Sequence, residues 1–573
     1  MLPEKILKTV LKKTNLCSGK DLRLAQERAE KGKKTLEQIL IELELVDEQK
    51  LYQEIGQYLD VPFVELKGKE IKKEVINLIP TPVAGTHQVV AFDKERGQVK
   101  LAMVDPTDIQ TIEFLRRKTG LDPKVYITCP SDLKQALRLL HADLEDNLQI
   151  IKDVGSGVDG KELKKAAEEL PIINIVNTIL EHAVYENTSD VHIEPAEKQV
   201  VVRYRIDGIL KQVMTLPKNI QKGLIARIKI LSNLKIDEHM QPQDGRFKIQ
   251  LHDDKVALRV SIIPVYDGEK VVMRILHEGA KPLTLEQLGF LQKPQAIVES
   301  VIKKPHGMIL VTGPTGSGKT TTLYSILGIL NQPGVNISTI EDPIEYRIPG
   351  INQSQINPKA GFSFANGLRS FLRQDPDIIM VGEIRDQETA EIGIHAAMTG
   401  HLVLSTLHTN DAPTTLPRLV DMGVPPFLVG YTTNVVIAQR LVRKICSHCK
   451  KEYRLDKTAI TELTKVFTVK KLTSLIKEHL DQKKVKDSFE HMTFYKGEGC
   501  QRCGQTGYKG RIGIYEVLEI DEGLIKKINQ HATANDIKEY AREHGMLTIL
   551  EDGLLKSVIG ITTINEVLRV TKD

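Results

Sequence analysis

The sequence has no tryptophan, and aromatic residues make up only 5% of its 573 positions. Proteins that hold single-stranded nucleic acid stack bases on aromatic platforms beside a basic groove. Here 79 basic and 75 acidic side chains nearly cancel, leaving a formal charge of +4, so no nucleic-acid partner is expected. Long apolar runs are missing too. Thr320–Ile340 and Met422–Gln439 carry no charge, but "NQPG" breaks the first and "PP" and "TTN" the second. Neither reads as a spanning helix. The start, "MLPEKILKTVLKKTNL", places a charge every few residues and lacks the apolar centre of a signal peptide. The expectation is a cytoplasmic chain whose membrane contact runs through partners or a surface. Cysteine is scarce, with six residues. Cys17 and Cys129 are isolated, and the other four form two tight pairs, which in a reducing compartment favour metal over disulfides. One more absence is local. In "DPDIIMVGEIRD" the apolar run Ile378–Val381 should end in the Asp that holds magnesium in a nucleotide site, yet it ends in Gly382 and Glu383.

A chain of this length exceeds one core and suggests three or four domains. Residues 1–45 read as charged helices. From 46 to 145, "LYQEIGQYLDVPFVEL" predicts a helix then a strand, and "VVAFDKERGQVKLAMVDP" a strand hairpin. Residues 146–168 are polar and Gly-rich, a linker. The stretch 169–280 opens with an amphipathic helix and continues in short strands. Over 281–443 strands and helices alternate, the pattern of a parallel sheet. Residues 444–510 hold the cysteine pairs, and 511–573 are helical.

"MILVTGPTGSGKTTTLYSIL" places an apolar strand, Met308–Thr312, before Gly313-Pro314-Thr315-Gly316-Ser317-Gly318-Lys319-Thr320, with a helix starting at Thr320–Thr322. This is the GxxxxGK[ST] phosphate loop, whose glycines let backbone N–H groups and a helix N-terminus cradle phosphate oxygens. Lys319 is expected to reach the β- and γ-phosphates of ATP, and Thr320 to ligate Mg²⁺, with Thr321 beside it. Carboxylates must complete such a site. Glu383 lies one residue past the usual position, and Glu341 ends the β-rich run Asn336–Ile340. Strand C-termini line the ligand crevice of a parallel sheet. His408 ends a third strand, "HLVLSTLHTND", where it can sense the γ-phosphate; taken alone, His401 and His408 read as structural.

"GPTGSGKTTTLY", "TIEDPIEY", "LRQDPDIIMVGEIRD" and "TGHLVLSTLHTNDAP" together resemble the four ATPase boxes of the secretion-ATPase superfamily, the motors of type II secretion and type IV pili. The resemblance runs from about Pro171 to the C-terminus and more loosely over 45–145. It implies an α/β protein with a RecA-like P-loop ATPase core and a PAS-like α+β neighbour domain. A small α/β N-terminal extension and a tetracysteine zinc subdomain complete that architecture. The family's "GEIRD" box lacks the usual Asp, and both Glu341 and Glu383 are implied to be needed. Which is base and which serves the metal stays open, with Glu341 favoured as base. The family forms hexameric rings with ATP between subunits.

In "VVVRYRIDGIL" Arg203 and Arg205 share one strand face beside an Asp207-Gly208 hairpin turn. Alone they would read as a solvated face. The resemblance implies that they, with Arg227, reach the nucleotide of a neighbouring subunit. Met240-Gln241 stand where the family commonly has a basic pair.

Cys446-x-x-Cys449 and Cys500-x-x-Cys503 offer four thiolates to one tetrahedral Zn²⁺, a closed structural site. Pilus-assembly and secretion motors resemble this chain in carrying such an insert and an N-terminal extension, which retraction motors lack. Between the pairs, "KKLTSLIKEHLDQKKVKD" puts Leu472, Leu475, Ile476 and Leu480 on one helical face, most simply packed on its own domain. The implied function is a hexameric Mg²⁺-dependent ATPase at the cytoplasmic face of the inner membrane. It would drive a platform protein in type IV pilus assembly, with type II secretion the alternative. A DNA translocase and a regulatory module with incidental ATPase are the readings from other classes. No second-messenger motif stands out in the N-terminal part.

Overall fold

A computed structural model describes residues 4–137, 170–277, 282–455 and 492–571, except 15, 32–34, 44, 70, 81–82, 85–86, 134–135 and 252–253. The expected linker 146–168 and the helix bearing Leu472, Leu475, Ile476 and Leu480 lie outside the described residues. The chain divides into two compact units, Met1–Leu276 and His277–Asp573.

In the first unit, β1 (Val89–Glu95) and β2 (Gln98–Met103) pair antiparallel around Gly97, whose φ of +77° suits a tight turn. This is the expected hairpin. β2 then pairs in parallel with β3 (Asp122–Ile127) after the helix Ile109–Thr119. The helix Glu48–Leu59 forms as expected, but no full strand comes after it. Only Phe63 bridges Ile127, because Pro62 has no N–H to extend the ladder. Leu51, Tyr52, Ile55, Val90, Leu101 and Phe114 belong to one apolar core.

The same unit holds a six-stranded sheet of β4 (Asp190–Pro195), β5 (Gln199–Ile206), β6 (Ile209–Pro217), β7 (Gln243–Leu251), β8 (Asp254–Val265) and β9 (Gly268–His277), in the order β6-β5-β4-β9-β8-β7. Val200, Val202 and Tyr204 of β5 are buried under the helices Leu170–Tyr185 and Gln221–Leu231. Alternation therefore turns Arg203 and Arg205 to the other face. Asp207 and Gly208 at the β5–β6 turn have φ of +50° and +84°, as a type I′ hairpin requires.

The second unit is built on a seven-stranded sheet in the order β12-β11-β13-β14-β10-β15-β18. Its members are β10 (Gly307–Thr312), β11 (Ile337–Glu341), β12 (Asn352–Gln355), β13 (Ile378–Val381), β14 (Leu402–Leu407), β15 (Thr433–Ile445) and β18 (Tyr508–Glu519). The first six in that order run parallel, and β18 pairs antiparallel with β15 at the edge. Apolar runs such as "IIMV" suit strands covered on both faces, and β10, β11, β13 and β14 are buried throughout. Register aligns their ends, Thr312 with Leu407 and Ile340 with Val381. The residues just beyond Thr312, Ile340, Val381 and Leu407 are thereby gathered at the C-terminal end of these parallel strands.

β10 pairs with β15 only as far as Ala438, while β15 and β18 stay paired out to Ile445 and Tyr508. The two-stranded extension leads to the cysteines, where β16 (Lys450–Tyr453) and β17 (Phe494–Gly497) form a second small ladder. Four helices close the chain, starting at Glu522, Ala534, Ile549 and Ile564. Asp521, Thr533 and Thr548 cap the first three by accepting a backbone N–H, which satisfies otherwise orphaned donors. Among the described residues, no helix is long and apolar enough to cross a membrane.

Candidate functional site

The loop Gly313–Gly318 leaves β10 and enters the helix Lys319–Leu330. Gly313, Gly316 and Gly318 have φ of +141°, +79° and +90°, conformations that side chains rarely tolerate. Pro314, Thr315 and Gly316 are exposed, Ser317 is buried, and Thr320 and Thr321 lie in the helix's first turn. No side chain caps that helix at Gly318, so its first donors suit phosphate oxygens. Lys319 Nζ donates to the carbonyls of Gly313 at 2.7 Å and Pro314 at 3.3 Å. Burial lowers the pKa of its ammonium, Glu383 opposes this, and Arg440 adds to it. A half-buried ammonium thus stands at the loop, with a carboxylate and a guanidinium near enough to act on its charge, a donor set that fits a nucleotide phosphate with its magnesium.

The two carboxylates sit in different surroundings. Glu341, the last residue of β11, is only 2% exposed. It accepts hydrogen bonds from the Tyr324 hydroxyl, from Thr339 Oγ1 at 2.6 Å and from Gln353 Nε2 at 3.3 Å. Burial nevertheless pushes its pKa up, and Glu345 nearby adds to that. Glu383 follows Gly382 and pairs with Arg385 and with His408 Nε2, the latter at 2.9 Å. Burial alone would raise its pKa, but the bonds from Arg385 and His408 hold it below the usual carboxylate range. His408 directly follows β14, as its sequence position suggests. His401 caps the preceding helix, its Nδ1 lying 2.9 Å from Ala396 O.

The structure brings Glu383 and His408 into contact and sets Glu341 against Tyr324, a residue of the helix that the loop feeds. The arginines belong to the first unit. Arg203 donates to Glu194 at 2.6 Å, Arg205 lies 3.5 Å from Asp190, and Arg227 is half-buried in the helix Gln221–Leu231. In the second unit the sulfurs of Cys446, Cys449, Cys500 and Cys503 lie within 4.8 Å of one another, and the Cys446–Cys500 and Cys449–Cys503 pairs are 3.7 and 3.9 Å apart. A tetrahedral ion with bonds of ~2.3 Å spaces its sulfurs by about 3.8 Å, so this cluster fits one zinc.

Comparison with known proteins decides the family. The type II/IV secretion system protein model matches residues 165–569, and the MshEN domain model residues 59–146. The type IV pilus assembly ATPase PilB of Myxococcus xanthus is 40% identical over 572 residues, covering 98% of this chain and 97% of its own. The chain belongs to the type II/IV secretion system protein family. Type II secretion system protein E of Pseudomonas aeruginosa is 42% identical over 436 residues, 74% of this chain and 82% of the relative. Among solved structures, the pilus retraction motor PilT with bound ADP is 26% identical, covers 70% of this chain and 97% of its own, and gives a TM-score of 0.47. Membership in this secretion family supports an ATPase, and the mixed α/β class expected from sequence holds.

Sequence reasoning missed Tyr324, Gln353, Gln439 and Arg440. For Gln439 a signal existed, since an amide inside the apolar run "NVVIAQRLV" needs partners. Tyr324 carried none, because its partner Glu341 is on another element.

Proposed function

We propose that this protein is the ATP-hydrolysing motor of type IV pilus assembly, acting as a homohexamer on an inner-membrane platform protein from the cytoplasmic face. The end-to-end likeness to a pilus assembly ATPase, at 40% identity, carries this reading. Type II secretion is the second reading, favoured by the 42% likeness to protein E over a shorter stretch. In the proposed site Lys319 and the loop N–H groups bind the β- and γ-phosphates. Thr320 and the ionised Glu383 would hold Mg²⁺, which neutralises charge on the transferring phosphoryl group. The raised pKa of Glu341 suits a base that orients water, and His408 senses the γ-phosphate through its contact with Glu383. Arg203, Arg205 and Arg227, in the proposed 169–280 domain, serve a neighbouring subunit's nucleotide. Zinc on the four cysteines holds the 444–510 subdomain together without catalysing.

The test is deletion of the gene in its source cell, complemented with wild type or Lys319→Ala, with surface pili and secreted proteins scored side by side. Loss of pili alone, unrestored by Lys319→Ala, is the expected outcome. Loss of secretion alone would replace this reading with the second.

A further inference from the structure

We infer that Gln439, on β15, is a positioning residue that sets the shape of the phosphate loop and thereby its affinity for nucleotide. The inference rests on reading that loop as the nucleotide site. Gln439 is 1% exposed and directly follows the buried run Val435–Ala438, so both ends of its amide must be paired. Both are, and both partners belong to the loop and its helix. Its Nε2 donates to Ser317 O at 2.7 Å, and its Oε1 accepts from Thr322 Oγ1 at 2.7 Å. One side chain therefore ties the loop to the first turn of the helix that the loop feeds.

The glycines of the loop point to the same residue. A Cβ on Gly313 would stand 2.5 Å from the Gln439 carbonyl oxygen, and one on Gly318 would stand 3.2 Å from its Nε2. A Cβ on Gly316 would meet nothing within 4 Å. Gly316 is thus required for its φ alone, whereas Gly313 and Gly318 also let the loop close down on Gln439. Lys319 Nζ in turn donates to the carbonyl of Gly313 at 2.7 Å, so a loop seated on Gln439 also fixes where Lys319 starts. The next residue extends the tie. Arg440 donates to Gln439 O at 3.2 Å and to Asn410 O at 2.9 Å, two residues beyond His408. Gln439 itself faces the loop's rear, and its effect on nucleotide passes through Ser317, Thr322 and the two glycines.

The experiment uses the full chain and its Gln439→Leu, Gln439→Glu, Thr322→Val and Lys319→Ala variants. N-methylanthraniloyl-ADP binding and the KM and kcat for ATP are measured, with melting temperature and zinc content as folding controls. Gln439→Leu keeps the side-chain volume and deletes both bonds. It is expected to raise nucleotide Kd and KM by about tenfold or more, equivalent to ~1.4 kcal/mol, with a smaller change in kcat. Thr322→Val removes one of the two bonds and is expected to give a smaller rise in the same direction. Gln439→Glu regains a donor to Ser317 O only when protonated, so its Kd should improve as pH falls, a pattern that Leu cannot show. If Gln439→Leu does not fold, Thr322→Val and Gln439→Glu decide. Unchanged Kd and KM, or a fall in melting temperature and kcat with KM intact, overturns the inference while Lys319→Ala still abolishes binding. Normal binding by Lys319→Ala overturns instead the reading of the loop on which the inference stands.

Discussion

Tyr324→Phe probes which carboxylate acts as base. The change deletes one oxygen and leaves a ring that still packs edge-on against Tyr346, with centroids 4.6 Å apart, so no cavity opens. Glu341 loses one of three donors and keeps Thr339 and Gln353. The Glu345 N–H and Gln353 Nε2 also lose an acceptor at 3.3 Å. A hydrogen bond to a charged group contributes about 1.5–3 kcal/mol, and Glu341, at 2% exposure, has little water to replace it. If that energy stabilises the working base, its loss caps the fall in kcat at about 10- to 150-fold. KM should barely move, because the phosphate loop keeps its own contacts.

The pH dependence carries a sign. Burial holds the Glu341 carboxyl above its ordinary range, Glu345 assists, and the bonds from Thr339, Tyr324 and Gln353 oppose it. A folded pKa above the unfolded one contributes stability that is complete below the unfolded value and lost as pH rises through the folded value. Removing Tyr324's bond moves the folded value further up. The acid limb of the rate profile should therefore shift to higher pH, and the variant should lose most stability on the alkaline side. Steady-state ATP turnover across pH, with urea unfolding at each pH, measures both. Full turnover and an unshifted profile in Tyr324→Phe would remove Glu341 from the role of base and leave Glu383.

Two further outcomes are expected. Chelating zinc should erase hydrogen-exchange protection of the β16–β17 ladder, residues 450–453 and 494–497, because a structural zinc's binding energy is folding energy; nucleotide binding should survive, and its loss alongside the zinc would show that the cysteine cluster and the loop are one cooperative unit. Arg203→Ala with Arg205→Ala should lower ATP turnover while nucleotide still binds, and full turnover in the double variant would refute their role at a neighbouring subunit's site.

The features legible in the sequence were local. The phosphate loop is a run of eight residues whose glycines need positive φ, and Asp207-Gly208 announces its turn in the same way. The strands of the second unit were readable because apolar runs this short and continuous fit a sheet covered on both faces. Contacts between distant residues were not readable. Gln439 and Ser317 are 122 positions apart and Tyr324 and Glu341 are 17 apart, and no periodicity links them. The strand expected after Leu59 shrank to one bridge because Pro62 removed a donor, a local fact masked by the apolar residues around it. Glu341 was placed correctly at a strand end, but its burial behind Tyr324 depends on the packing of the helix Lys319–Leu330.

The glycine that stands where a magnesium-binding Asp is usual sits close against the neighbouring strand. Gly382 N donates to Ile340 O at 2.8 Å, and its own carbonyl accepts from Thr406 Oγ1 at 2.7 Å. A Cβ at this position would lie 3.3 Å from both the Ile340 carbonyl oxygen and the Glu341 Cα. A side chain there would press on the backbone that presents Glu341. Two other carboxylates stand close to this position, Glu341 at the end of the adjoining β11 and Glu383 as the next residue in the chain. Glu341 lies in a dry pocket that raises its pKa, and Glu383 lies between Arg385 and His408, which lower it. Two carboxylates with pKa values pushed in opposite directions can divide a proton-accepting role from a metal-holding one, a division that a single Asp at residue 382 could not provide.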